Sequence, residues 1–198
     1  MAVSSIRVTE GTGPYLHTWQ RSISSANRED QYVQLGEPAL STFVFSGSAS
    51  VATTDAHIIQ IMSGSATYTR IHSIEIAPND LPAAASNLQI AVQRLTTAGT
   101  TGTTATPYPL DTADSVNATG LILPSSKGTQ GAWLWTIDVP MGTAFTTGAA
   151  PRIWEAGPRM KPLIIPSGTA NGICLRVVTG IASAAVSFTI FGTETAWL

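Results

Sequence analysis

Charge is what this chain has least of. Only 11% of its 198 residues are Asp, Glu, Lys or Arg, where an average soluble domain carries about 25%. Just two lysines occur, Lys127 and Lys161. With a net charge of −2 there is no basic stripe to follow a phosphate backbone, so nucleic acid is not an expected partner. Scarce charge also removes a common guard against self-association. Two readings stay open: much of the surface is covered in an assembly, or a Ser/Thr-rich surface is solvated through its hydroxyls.

Cysteine is nearly missing as well. Cys174 is the single one, which excludes an internal disulfide framework and a cysteine-based zinc site. Its setting in the apolar run NGICLRVV reads as a buried, inert thiol. No apolar run approaches the roughly 18 residues of a membrane span, so no membrane is expected as a partner. MAVSSIRVTEG has neither a basic nor an apolar leader region, so synthesis in a cytoplasm without a secretory leader is expected. On that route the sequon at Asn117 is accidental.

Signatures of chemistry are absent too. His17, His57 and His72 could each meet a carboxylate in space, yet no serine sits in Gly-x-Ser-x-Gly. His57 and His72 read as strand histidines satisfied by neighbours. The histidines lack close ligand spacing, and Asp111 and Asp114 in LDTADS lack the ligand string of a calcium loop; they read as Asx-turn residues. SSKGTQG around Lys127 lacks the spacing of a phosphate loop and reads as a polar hairpin tip. The Asp and Glu residues, 12 in all, are scattered without a telling pair. The expectation is a protein that is not an enzyme, with no catalytic, metal-binding or cofactor-binding residues.

What the chain does have is short β-branched runs between 17 glycines and 12 prolines. Strands are predicted over 42–46, 56–62, 67–77, 87–95, 115–123, 132–139, 152–157, 161–166, 172–180 and 184–194. Many short strands between turn signals give an all-β sandwich or barrel. In TYTRIHSIEI neither alternating face is cleanly apolar, which predicts sheet curvature or a bulge. MSGSATY reads as a hairpin turn, and SGTANG as the loop setting the strand of KPLIIP against that of GICLRVV. Residues 1–40 differ in texture and read as an N-terminal arm or outlying strands, with ANREDQYVQLG as a possible helical turn. Residues 41–198 are then the sandwich domain.

Between Gln93 and Ser115 the chain reads QRLTTAGTTGTTATPYPLDTADS. Residues 96–114 exceed the length of an ordinary connection. Pro107 and Pro109 stiffen its far end around Tyr108 and Leu110, the loop's only large apolar groups. These two are the expected anchors of a contact arm, and deleting the loop is expected to leave the sandwich folded while association fails. Trp133 and Trp135 in AWLWTIDV fall on one face of their strand, continued by Ile137, and Trp154 follows in the next run. Core filling, an interface anchored by Trp133, Trp135 and Trp154, and a sugar-stacking platform all remain open for them.

The order of these features, HIIQIMSGSATYTRIHSIEI, then LQIAVQRL with its loop ending TPYPLDTADS, then PLIIPSGTANGICLRV and a closing VSFTIFGTE, resembles small jelly-roll-like β-sandwich proteins of tailed-bacteriophage virions, notably head decoration or cement proteins. The resemblance covers roughly residues 56–194. It implies a jelly-roll-like antiparallel sandwich and a non-enzymatic virion protein. It further implies a homotrimer placed on or between copies of a major capsid protein or another virion protein. Tail or fibre modules and carbohydrate-binding sandwiches would suit the same features.

Overall fold

A computed structural model describes residues 17–23, 26–32, 40–144, 151–157 and 160–196. The chain divides into two compact units, residues 1–39 and 40–198. In the first, β1 (His17–Ile23) pairs antiparallel with β2 (Ala26–Tyr32), from His17 opposite Tyr32 to Ile23 opposite Ala26. The helical turn considered from Ala26 onward is therefore not formed over 26–32. Strand pairing gives those backbone groups partners that one isolated turn cannot supply.

The second unit is an antiparallel β-sandwich. Its strands are β3 (Ser41–Ser50), β4 (His57–Met62), β5 (Thr67–Asp80), β6 (Ser86–Leu95), β7 (Thr103–Ala105), β8 (Tyr108–Pro109), β9 (Thr119–Ile122), β10 (Gln130–Met141), β11 (Arg152–Glu155), β12 (Leu163–Ile165), β13 (Gly172–Val177) and β14 (Ala185–Ala196). The first sheet runs β11-β5-β14-β3-β8, with β12 also on β5, and the second runs β10-β6-β13-β4-β9-β7. Within these, β3-β14-β5-β11 faces β4-β13-β6-β10, the strand order of a jelly roll built from two Greek keys.

This order corrects two readings of local sequence. The segment between β4 and β5 is not a hairpin turn, because those strands lie in different sheets. The same holds for the segment between β12 and β13. Both are corners that carry the chain across the core, and the turn-forming residues, including Gly168 at φ 109°, bend the backbone there as they would in a hairpin.

The core is filled from both inner faces. Phe43, Phe45, Ile74, Ile76, Val186 and Ile190 meet Ile59, Ile61, Ile90, Val92, Leu175 and Val177, all fully or almost fully buried. Each such side chain contributes about 1.5–3 kcal/mol on leaving water. Phe43 and Phe45 meet edge to face at 5.5 Å.

The mixed faces of β5 have a local cause. Thr69 and Ile71 are buried at odd positions, then Ile74 and Ile76 at even ones. The pairing slips between them: Ile71 lies opposite Gly192 but Ser73 opposite Phe191. His72 is the extra residue of a β-bulge, and it exchanges the inward and outward sets along one strand.

The Thr/Gly-rich loop is not a free arm. Its first part lies against the outer face of the second sheet, where Gly99 N–H donates to the buried Gln60 Oε1 at 2.7 Å and Thr100 bridges to Ser126. β7 then pairs with β9, and Ala105 is buried against Gly120, where a side chain would collide with Ala105 and Phe45. The chain next changes sheets, and β8 pairs with β3. These contacts argue against the expectation that the loop can be removed without cost to the sandwich.

Candidate functional site

β8 is two residues long and is held against β3 by hydrogen bonds at and just beyond its end. Pro109 sits on an edge strand, where a missing N–H leaves no ladder bond unmade. Leu110 N–H donates to Thr42 O at 2.8 Å, and Thr42 N–H donates to Asp114 Oδ2 at 3.0 Å. Ala113 N–H donates to Asp111 Oδ1 at 2.9 Å, the Asx turn expected for this segment.

Side chains of paired residues in antiparallel strands share a face, so the register lays out the outer face of the first sheet row by row. Tyr108 lies opposite Val44, Val44 opposite Phe191, Phe191 opposite Ser73, and Ser73 opposite Glu155. In the next row Leu110 bonds beside Thr42, which is followed by Thr193, Arg70 and Ile164. A third row holds Ser46, Thr189, Glu75 and Ile153. On this face Tyr108 and Leu110 are each 60% exposed, Ile153 is 64% exposed and Phe191 40% exposed. Arg70, Glu75 and Glu155 are the charged members of these rows, and the remaining polar members are Ser and Thr. His72 Nε2 lies 2.9 Å from Thr193 Oγ1.

Tyr108 and Leu110 thus stand exposed together, as their sequence suggested. Phe191, Ile153 and Ile164 were missed. Each sits in a strand whose register is not legible from one sequence, so nothing marked them as members of the same sheet face as Tyr108.

The tryptophans separate. In β10 the register slips between Trp133, opposite Gln93, and Trp135, opposite Val92. This bulge corrects the shared face expected for them. Trp135 turns inward with Ile137 and stacks on Trp154 at 4.8 Å, both packed at the margin of the core. Trp133 goes to the outer face of the second sheet, where the Arg176 guanidinium lies 5.5 Å from its ring centre.

Beneath the Thr/Gly loop that same outer face holds a buried polar cluster. His57 Nδ1 lies 2.6 Å from Gln60 Nε2, His57 Nε2 is 2.9 Å from the side-chain amide of Gln130, and Cys174 Sγ is 3.7 Å from the same ring nitrogen. Because Gly99 N–H occupies Gln60 Oε1, the Gln60 amide nitrogen must donate to His57 Nδ1. The ring proton therefore sits on Nε2, and the Gln130 amide, whose nitrogen is placed 2.9 Å away, accepts it only with its oxygen turned to that position. Arg176 pairs with Asp55 and donates to Gln93 Oε1; the hydrogen bond from Arg176 holds the Asp55 carboxyl below its ordinary value.

A cysteine beside a histidine invites comparison with a nucleophile and its base, but the electrostatics oppose it. Burial pushes the Cys174 thiol up to about 12. Burial, then the charges of Lys127 and Arg176, hold His57 down at about 4. At neutral pH the pair is a thiol and an uncharged imidazole, not the ion pair a thiol nucleophile needs. Among the described residues no three His, Cys, Asp or Glu side chains converge as a metal site would require, and no helix is long and apolar enough to cross a membrane. His17 and Trp197 lie outside the residues whose side chains are described.

No protein-family model matches this chain, and no curated protein matches it significantly in sequence.

Proposed function

We propose that this protein is a non-enzymatic structural component of a phage virion, of the head decoration type. In this reading it associates with sister copies as a homotrimer, and with the shell beneath, through the outer face of the first sheet. The observation that carries the proposal is that Tyr108 and Leu110 at one edge, Phe191 on the central strand, and Ile153 and Ile164 at the other edge all stand on one sheet face that is otherwise mostly hydroxyl-bearing. A face with large apolar anchors among hydroxyl-bearing residues suits a contact that is made once and kept, and its aromatic groups are of the kind that anchor interfaces.

Sedimentation velocity at micromolar concentration is the first test, with a trimer expected. Tyr108→Ser and Phe191→Ser should each weaken association by about 1–3 kcal/mol, the cost of removing an interface anchor. The melting temperature of the dissociated protein should hold, because both side chains are already substantially in water. Unchanged association in the double variant would overturn the assignment of this face. Failure of the wild-type protein to bind purified capsids, seen by electron microscopy, would overturn the decoration role.

A further inference from the structure

The split between β11 and β12 leaves a groove at the margin of the sandwich. It has a volume of about 390 Å³ and is lined by Trp135, Trp154, Met160, Leu163, Lys161 and Arg94. Arg94 comes from the end of β6, in the second sheet, and reaches across to β12 of the first, where its Nη1–H donates to Ile164 O at 2.6 Å. One backbone carbonyl leaves most of a five-donor guanidinium unused. Among the described residues Arg94 meets no carboxylate, and burial depresses its pKa. On the far side of Arg94 lies a second hollow of about 360 Å³, lined in part by Thr96 and Asn171. Among the described residues neither hollow has an acidic residue in its wall.

We propose that the groove binds an acidic saccharide, with a sugar carboxylate on the Arg94 guanidinium and a sugar ring against the Trp135–Trp154 wall. The parts divide the ligand between them. A guanidinium with free donors matches a carboxylate in two-point geometry. Indole rings offer flat apolar area to the C–H face of a pyranose. Thr96, whose hydroxyl donates to Thr129 O, and Asn171, whose amide nitrogen donates to Ser167 O, offer their side-chain oxygens as acceptors beside the next ring. Lys161 adds a second positive charge and no acid opposes it, so the local field favours an anion although the whole chain is negative. A volume near the lower end of the range for ligand sites suits one ring in each hollow. An acidic peptide would satisfy Arg94 but would leave the tryptophan wall without a matching partner. The groove borders the proposed contact face, with Ile164 in the wall of both, but the saccharide reading does not depend on that face.

The test is a titration followed by tryptophan fluorescence, with a glucuronate-containing disaccharide and its neutral glucose counterpart as probes. Saturable quenching by the acidic sugar is expected, with at least tenfold weaker binding of the neutral one. Arg94→Gln and Arg94→Lys should each weaken the acidic sugar about tenfold or more, the lysine variant because it keeps charge but loses the two-point fork. Trp154→Leu should weaken it while Tyr108→Ser has no effect. Equal binding of acidic and neutral sugars would overturn the carboxylate assignment. Equal competition by acetate or by a glutamate-rich peptide would overturn the saccharide assignment. If Arg94→Gln fails to fold, Arg94→Lys still decides, since undiminished binding in that variant sinks the proposal.

Discussion

Deleting residues 96–114 is expected to abolish cooperative folding of the sandwich, or to lower its melting temperature by more than about 15 °C. The reason lies in what the segment covers. Gln60, His57, Met62, Leu95 and Cys174 point outward from the second sheet yet are buried, and Gly99 is bonded directly to Gln60. Without the segment, Gln60 loses its donor, an apolar patch meets water, β9 loses its neighbour β7, and β3 becomes an open edge. Several such losses of 1–3 kcal/mol each consume most of a typical stability of about 5–15 kcal/mol. A milder variant probes the same cover: in Gly128→Ala the new carbon would lie 1.9 Å from Thr97 O, so the backbone itself must move. Thermal unfolding followed by circular dichroism checks both. A deletion variant that melts as the wild type does would show that the covering segment is dispensable.

Acidification should destabilise the domain before its carboxylates are protonated. His57 is neutral in the fold, with its pKa held at about 4 against an ordinary value of 6.5. In the unfolded chain it takes up a proton as pH falls through 6.5; in the folded chain it does so only near 4. Its contribution is therefore fully present above pH 6.5 and is lost progressively between 6.5 and about 4. The total is on the order of 3 kcal/mol, from a shift of two to three pKa units. Geometry reinforces the direction, because Nδ1 faces the amide donor of Gln60 and has no acceptor for a second proton. Lys127 and Arg176 push the same way, and Asp55 opposes them weakly. Urea titrations at intervals from pH 7 to 4.5 should show the decline, and the His57 ring resonances should titrate near 4. A midpoint near 6.5 would refute the prediction.

Much of this architecture was legible in the residues, for reasons that also explain the failures. The longer β6 alternates well enough to be found by period, and the six-residue β13 by its apolar run. In β5 the alternation breaks at His72, and the break itself announced the bulge. In β10 two tryptophans at i and i+2 looked regular, and only the partner strand reveals the slip between them. β7 and β8 are the opposite case: Thr-Thr-Ala and Tyr-Pro are too short to show any period, so pairing with β9 and β3 decides their conformation. Tyr108 and Leu110 could be singled out because they are isolated apolar groups in a polar stretch. Arg94 could not, since its lack of a counter-ion is a property of its surroundings and not of its sequence neighbours.

One feature of the sheet order bears on how such a chain is made. β14 lies between β3 and β5, yet it follows every other strand of the sandwich in the chain. During synthesis β3 and β5 therefore wait with open edges, and Phe43 and Phe45 stay parted from Ile74 and Ile76 until Val186 and Ile190 emerge to fill the sheet between them. The β1–β2 hairpin can close as soon as it is made, whereas the sandwich cannot be completed on the ribosome in the order of its parts. Its birth is a single late event, slow in the way of folds governed by distant pairing, and the nascent chain must stay unaggregated until then. A sequence poor in charge offers little self-repulsion during that wait, so the yield of folded protein should depend on chaperones far more than the finished domain's stability would suggest.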